Sequence, residues 1–185
     1  VTDSEPLRDD FEMALVEEAT KKSGLIWVRV NETGDARPAW HVWLDGAAYV
    51  VCGGAEQSLP DLETAAQAVV TVPSKDKGGR LVTWVARPYV IEPGSERWAA
   101  AAPALQAKRL NARDGEQQPA RWARESRIVR LEPTGEVLER PGTMPSGSQA
   151  APPRPTRATT RGPLPFVIGR ATGRKRRRPP SPPSR

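Results

Sequence analysis

The chain has 185 residues, 37% of them hydrophobic, with 20 prolines, 15 glycines, one cysteine and one histidine. Single Cys and His residues exclude an intrachain disulfide framework, a four-cysteine zinc site and two-histidine metal motifs. No apolar run approaches the ~20 residues of a membrane-spanning helix. The opening Val1-Thr2-Asp3-Ser4-Glu5 lacks a basic-then-apolar leader pattern, so a soluble, cytoplasmic protein with no membrane partner is expected.

The formal net charge of +6 is unevenly placed. Residues Pro141–Arg185 hold ten basic residues and no acidic one, which leaves eighteen basic against 22 acidic residues in 1–140. The body is therefore mildly acidic. A nucleic-acid-binding domain carries its basic groups on the folded part, which argues against that role for the body.

In chain order, Asp9-Asp10 offers a helix start, and Phe11, Leu15, Val16 and Ala19 form an apolar stripe that Gly24 ends. Leu25–Val30 reads as a strand, followed by the polar turn Asn31–Asp35. Pro38–Leu44 and Ala47–Cys52 flank Asp45-Gly46, a strong hairpin signal because that turn needs positive φ. Alternation puts Trp40, Val42 and Leu44 on one face, with His41 and Trp43 on the other, so a strand covered on both sides is expected. After the Gly53-Gly54 loop, Leu59–Gln67 reads as a short helix with Pro60 in its first turn.

Ala68–Val72 and Arg80–Ile91 read as strands around a polar turn, the second interrupted at Pro88 by an edge or bulge. Helices follow over Glu96–Leu110 and Pro119–Glu125, and the last strand is Ser126–Leu131. Six strands, mostly hairpin-linked, with helices at both ends and one between, predict a small antiparallel barrel with helical additions. Neither Gly-x-Gly-x-x-Gly nor a P-loop occurs, so the two common phosphate-cradle fingerprints are absent.

Two units are expected: a folded domain over 1–140 and a disordered basic tail over 141–185. The tail holds 11 of the 20 prolines and few apolar residues, too few to offset its ordering entropy. Pro163–Ile168 is an apolar island within it. The run Gly173-Arg174-Lys175-Arg176-Arg177-Arg178 is either a grip on nucleic-acid phosphates or an acidic partner, or a solvated charged end.

Three strings along the strands resemble the flavin-binding split-barrel superfamily, the pyridoxamine 5′-phosphate oxidase-like proteins, over about residues 9–135. They are Arg37-Pro38-Ala39-Trp40-His41-Val42-Trp43 with Asp45-Gly46 and the Tyr49 strand, then Ala68–Val72 with the strand from Arg80, and finally Ile128–Thr134. The resemblance implies an antiparallel split β-barrel of the FMN-binding type, a homodimer, and FMN or a deazaflavin coenzyme at the subunit interface. It places the tricyclic ring along Pro38–Val42, at Trp40 and His41. Phosphate would be held at Gly53, Gly54, Gln57 and Ser58, with charge from Lys75, Lys77 and Arg80. Where many members have a Lys or Arg, near Gln57–Leu59, this chain has none, and Glu56 stands beside the loop. An unpaired carboxylate repels a phosphate.

Two functions stand from different classes. One is an oxidoreductase-like dimer acting on a small-molecule substrate through its cofactor. The other is a cofactor-free dimer that acts as a binding or interaction module, with the tail as a possible tether to nucleic acid or acidic partners. His41 is either a hydrogen-bonding group at a cofactor edge or an internal imidazole satisfied by a carbonyl. Cys52, with no neighbouring acid or base, reads as an inert small hydrophobe. Trp27, Trp40, Trp43 and Trp84 read as core or dimer packing, or as flat walls for a planar ring. Asp61 and Glu63 read as first-turn helix acids, and no Ser/His/Asp triad is evident.

Overall fold

The computed structural model describes residues 4–30, 34–75, 79–110 and 114–147, with side chains from Asp10 onward. Lys77, the apolar island and the Gly173–Arg178 run lie outside the described residues.

Helix α1 spans Ser4–Lys22 and so starts before Asp9-Asp10. Its exposed side carries Glu17–Lys21 and Glu18–Lys22 pairs at 3.4 and 2.7 Å, one turn apart. The buried stripe is rotated from the expected one. Phe11 is exposed, while Glu12, Val16, Ala19 and Thr20 face inward. Glu12 is tolerated there because Arg140 pairs with it at 2.9 Å.

The strands are β1 (Ile26–Val30), β2 (Arg37–Ala39), β3 (Val42–Leu44), β4 (Ala47–Cys52), β5 (Ala68–Pro73), β6 (Arg80–Ile91) and β7 (Arg127–Glu139). All pair antiparallel, in the order β2-β1-β5-β6-β7-β4-β3. The expected single strand 38–44 is broken at Trp40-His41, and that break closes the barrel. Its first half pairs with β1 at one sheet edge and its second half with β4 at the other. Consecutive residues thus bring the two edges together, which leaves no long open edge.

Alternation sorts the apolar residues into two clusters. Inside the barrel, Ile26, Val28, Val70, Val72, Trp84 and Val129 pack with Val16 and Ala19 of α1. Trp43 meets Trp84 edge-on at 6.3 Å and 82°. On the outer face, Val42, Tyr49, Val51, Ile91 and Ile128 are covered by α2 (Glu96–Lys108) and α3 (Gln118–Glu125). α2 buries Ala101, Ala102 and Leu105, one turn after half-buried Trp98. Ser95 starts it, accepting the Trp98 N–H at 3.2 Å. Of the 38–44 run, Ala39–Leu44 is buried or half-buried on both sides, as expected, whereas Pro38 is exposed.

Three expectations change. Residues 59–67 form turns rather than a helix: Asp61 has φ +63, a left-handed conformation that breaks helical propagation. Leu59 and Leu62 still reach the inner cluster. β6 is continuous rather than interrupted at Pro88, although the expected edge is there: pairing with β5 ends at Ala86, so the missing N–H costs no ladder bond on that side. β7 runs on to Glu139, eight residues beyond the expected end at Leu131, and this extension pairs with Thr83 and Trp84 of β6.

Candidate functional site

The turn after β4 is where the sequence placed a phosphate. Gly53 and Gly54 have φ of +82 and +59, and Gly53 N–H bonds the Gln57 carbonyl at 3.1 Å. A Cβ on Gly54 would stand 2.6 Å from the Glu125 carbonyl oxygen, so only glycine lets this turn meet the end of α3. Ser126 Oγ donates to the Gly53 carbonyl at 3.2 Å and fixes that contact.

From this turn two side chains point inward. Gln57 Oε1 accepts the Trp40 N–H at 2.9 Å, and its Nε2 donates to the Trp40 carbonyl at 3.0 Å. This amide clamp satisfies both backbone groups at the break between β2 and β3. Glu56, 1% exposed, accepts from Arg109 Nε (3.0 Å), Arg121 Nη2 (3.0 Å) and Trp122 Nε1 (2.9 Å). Arg121 is held in turn by Asp114 at 2.6 Å. Burial pushes the Glu56 carboxyl up, but the indole and guanidinium donors outweigh it and hold the group below its ordinary value. Over this centre, the Trp40 and Trp122 rings lie 6.2 Å apart, with the Arg109 guanidinium 5.8 Å from the Trp40 ring centre.

The remaining expected residues lie elsewhere. His41 is 6% exposed and its Nε2 donates to the Thr20 carbonyl at 2.8 Å, so the imidazole faces α1 inside the molecule. Burial lowers its pKa, against the Thr20 bond that raises it. Cys52 is buried and its thiol pushed up to about 11, chiefly by that burial, as an inert side chain should be. Ser58 is exposed on a cavity of about 430 Å³ lined also by Gly53, Gly54, Asp61, Glu63 and Thr64. Its ionisable wall is acidic.

Lys75 is exposed in the β5–β6 hairpin. Arg80 pairs with Glu139 at 3.1 Å and donates to the carbonyls of Pro145 and Gly147 at 3.1 and 3.0 Å. This hairpin meets the Glu139 end of the 13-residue β7, whereas the Gly53–Ser58 loop meets its Arg127 end. Fully extended, that strand measures about 40 Å. Within one protomer the two halves of the expected phosphate site do not converge.

Arg109, Arg121 and Trp122 were missed by sequence reasoning. They lie 53 to 66 positions from Glu56, and no local pattern links them. The available signal was the mismatch itself, a Glu where a cation was expected.

The chain matches no protein-family model and no curated protein. It does match solved structures. HutZ, the heme storage protein from Vibrio cholerae, superposes with a TM-score of 0.50 at 16% identity, over 66% of this chain and 90% of that one. The fold is the split barrel. Two further split barrels align at lower scores. A flavocytochrome from Azotobacter vinelandii has 15% identity and a TM-score of 0.43, covering 82% of this chain and 86% of its own. An FMN-binding protein from Syntrophomonas wolfei subsp. wolfei has 7% identity and a TM-score of 0.39, covering 69% and 87%. At 16% identity the likeness to HutZ shows the fold and not the ligand.

FMN phosphate does not fit the Gly53–Ser58 loop of this split barrel. Gln57 is spent on Trp40, Arg109 and Arg121 on Glu56, and the adjoining cavity carries Asp61 and Glu63, the latter 3.9 Å from Arg127. Among the described residues, no helix is long and apolar enough to cross a membrane, and no cluster of metal-binding side chains occurs.

Proposed function

We propose that the protein is a homodimeric split-barrel binding module rather than a flavoenzyme anchored through a cofactor phosphate. The observation that carries this reading is the Gln57 clamp. It occupies both backbone groups of Trp40, on the segment along which the resemblance would lay a flavin ring.

The outer face supplies the docking surface. α2 and α3 cover its β3–β4–β7 side and the Ile91 end of β6. On the β1–β5–β6 side, Trp27, Thr71 and Thr83 stand in register across three strands, and Arg29, Val69 and Val85 form the next row. Trp27 is 39% exposed there. Thr83 and Val85 are buried within the chain, Thr83 donating to Glu139 at 3.0 Å. The open part of this face is therefore Trp27 with half-buried Arg29, Val69 and Thr71, and the occupant proposed there is the same face of a second copy.

Light scattering on the purified chain is expected to give a dimer, and Trp27→Lys a folded monomer with an unchanged far-ultraviolet circular dichroism spectrum. Titration with FMN, riboflavin or a deazaflavin is expected to leave the cofactor spectrum unchanged. A monomeric wild type sinks the module reading, and saturable micromolar FMN binding replaces it with the flavin reading.

That second reading, a flavin or deazaflavin coenzyme at the same dimer face, is favoured by the exposed Trp27 indole, a flat wall for a tricyclic ring. It carries its own signature. With Arg109 and Arg121 spent on Glu56 and Arg127 facing Glu63, FMN and riboflavin bind with affinities within about threefold, well under the tenfold that 1.4 kcal/mol represents.

A further inference from the structure

The loop assigned by resemblance to a phosphate already contains an anion, and it belongs to the chain. Three donors from two separate elements converge on Glu56: Arg109 at the end of α2, and Arg121 and Trp122 on α3. Arg121 Nη2 and Trp122 Nε1 meet on Oε1, while Arg109 Nε takes Oε2. Planar guanidiniums holding both oxygens of a carboxylate are the geometry of oxyanion recognition.

Charge balances within the group, since Arg109 and Arg121 face Glu56 and Asp114. Asp114 grips Arg121 through Nε at 2.6 Å and so fixes the plane in which its other nitrogens point. Donor capacity nevertheless exceeds what the carboxylate uses. Arg121 Nη1 is buried without a partner, and so is the amide of Gln118, fully buried one turn earlier on α3. Glu56 reaches this place from a tight turn built on two left-handed glycines, a short tether that carries the carboxylate without a helix or strand behind it.

We propose that Arg109, Arg121 and Trp122 form an oxyanion receptor whose resident ligand is the chain's own Glu56, and that a small external carboxylate or phosphate takes the place when that side chain is removed. This goes beyond the module reading and does not depend on the dimer. It explains why the loop lacks an exposed cation: the cations are present behind it, already neutralised from inside.

Glu56→Ala deletes the atoms of an acetate ion and leaves two guanidiniums uncompensated, so the melting temperature is expected to fall by about 10 °C. Acetate is expected to raise the melting temperature again with the logarithm of its concentration, by about 4 °C at a tenfold excess over a Kd of about ten millimolar. Sodium chloride at equal ionic strength restores none of the loss. The double variant Glu56→Ala/Arg121→Met is not rescued. Phosphate run in parallel measures the width of the receptor: rescue by acetate alone or by both ions supports the proposal, and rescue by neither overturns it. Equal rescue by chloride, or of the double variant, also overturns it.

The wild type provides a second readout should Glu56→Ala fail to fold. The Trp122 indole N–H resonance, assigned through Trp122→Phe, reports the charge on the oxygen it touches. It is expected to stay in place as pH falls through 4.5, the ordinary value for a glutamate, and to move only at lower pH. A transition centred at 4.5 overturns the proposal.

Discussion

Gly54 and Gly24 separate two uses of the same residue. At Gly54 the backbone has φ +59 and the Glu125 carbonyl stands 2.6 Å from where a Cβ would sit, whereas Gly24 has nothing within 4 Å and no positive φ. Gly54→Ala is expected to cost about 2–3 kcal/mol in urea unfolding, from left-handed strain plus the clash. Gly24→Ala stays within about 0.5 kcal/mol of wild type. His41 makes a second residue-scale case. Its folded pKa lies below the ordinary 6.5 because the imidazole is buried, so the unfolded chain binds a proton that the folded chain refuses. The stabilisation is present above pH 6.5 and is lost as pH falls through that value toward the folded pKa. Urea midpoints at pH 7.5 and 5.5 are expected to fall with acidification, and His41→Gln to flatten that fall. Of the two sequence readings of His41, the geometry fits the internal one, held by the Thr20 carbonyl.

The element that organises the site is the 53–57 turn, which ties the barrel's closing break to both outer helices. One neighbouring side chain, Gln57, holds the Trp40 backbone, and the other, Glu56, holds α2 and α3. Gln57→Ala would leave two backbone groups of a half-buried residue without protein partners, at about 1–3 kcal/mol. Hydrogen exchange at the Trp40 amide is expected to accelerate at least tenfold, while amides in the β5–β6 ladder stay protected to within the global stability change. Element existence was largely legible. The Asp45-Gly46 hairpin, β1, β5, β6, α2 and α3 are all present, because period, turn chemistry and caps are local signals. What failed was also instructive. The 59–67 segment has a helical pattern of apolar residues, but Asp61 is forced left-handed where Leu59 and Leu62 both turn into the barrel.

At the scale of the whole molecule, the closing of the sheet is decided at Trp40-His41. A single run of β-forming residues belongs to both edges, and that is a fact of curvature rather than of composition. The same curvature leaves Trp27 exposed and Val69 and Thr71 half-buried on the β1–β5 side of the outer face, which is where the proposed second copy docks. The tail enters here as well. Its apolar island and basic run lie outside the described residues, but the chain leading to it is latched: Arg80 holds the Pro145 and Gly147 carbonyls, and Arg140 holds Glu12. We propose the basic run as a tether to polyanions. Deleting residues 148–185 is expected to abolish retention on nucleic acid at low salt while leaving the melting temperature within about 2 °C, since surface charge contributes little to folding. Retention that survives the deletion removes the tether.

Sequence alone determined that this chain makes an antiparallel barrel with added helices, that its basic charge lies in its tail, and that a cation is missing near Gln57. The first two follow from hydrophobic period, turn residues and composition, each written in neighbouring positions; the third is what the resemblance to the split-barrel superfamily implies. Only the tertiary structure decided what stands in for that cation. Glu56 stands more than fifty residues along the chain from Arg109, Arg121 and Trp122, and a charge pair between distant positions becomes visible only when folding brings them within hydrogen-bond reach and removes the water between them.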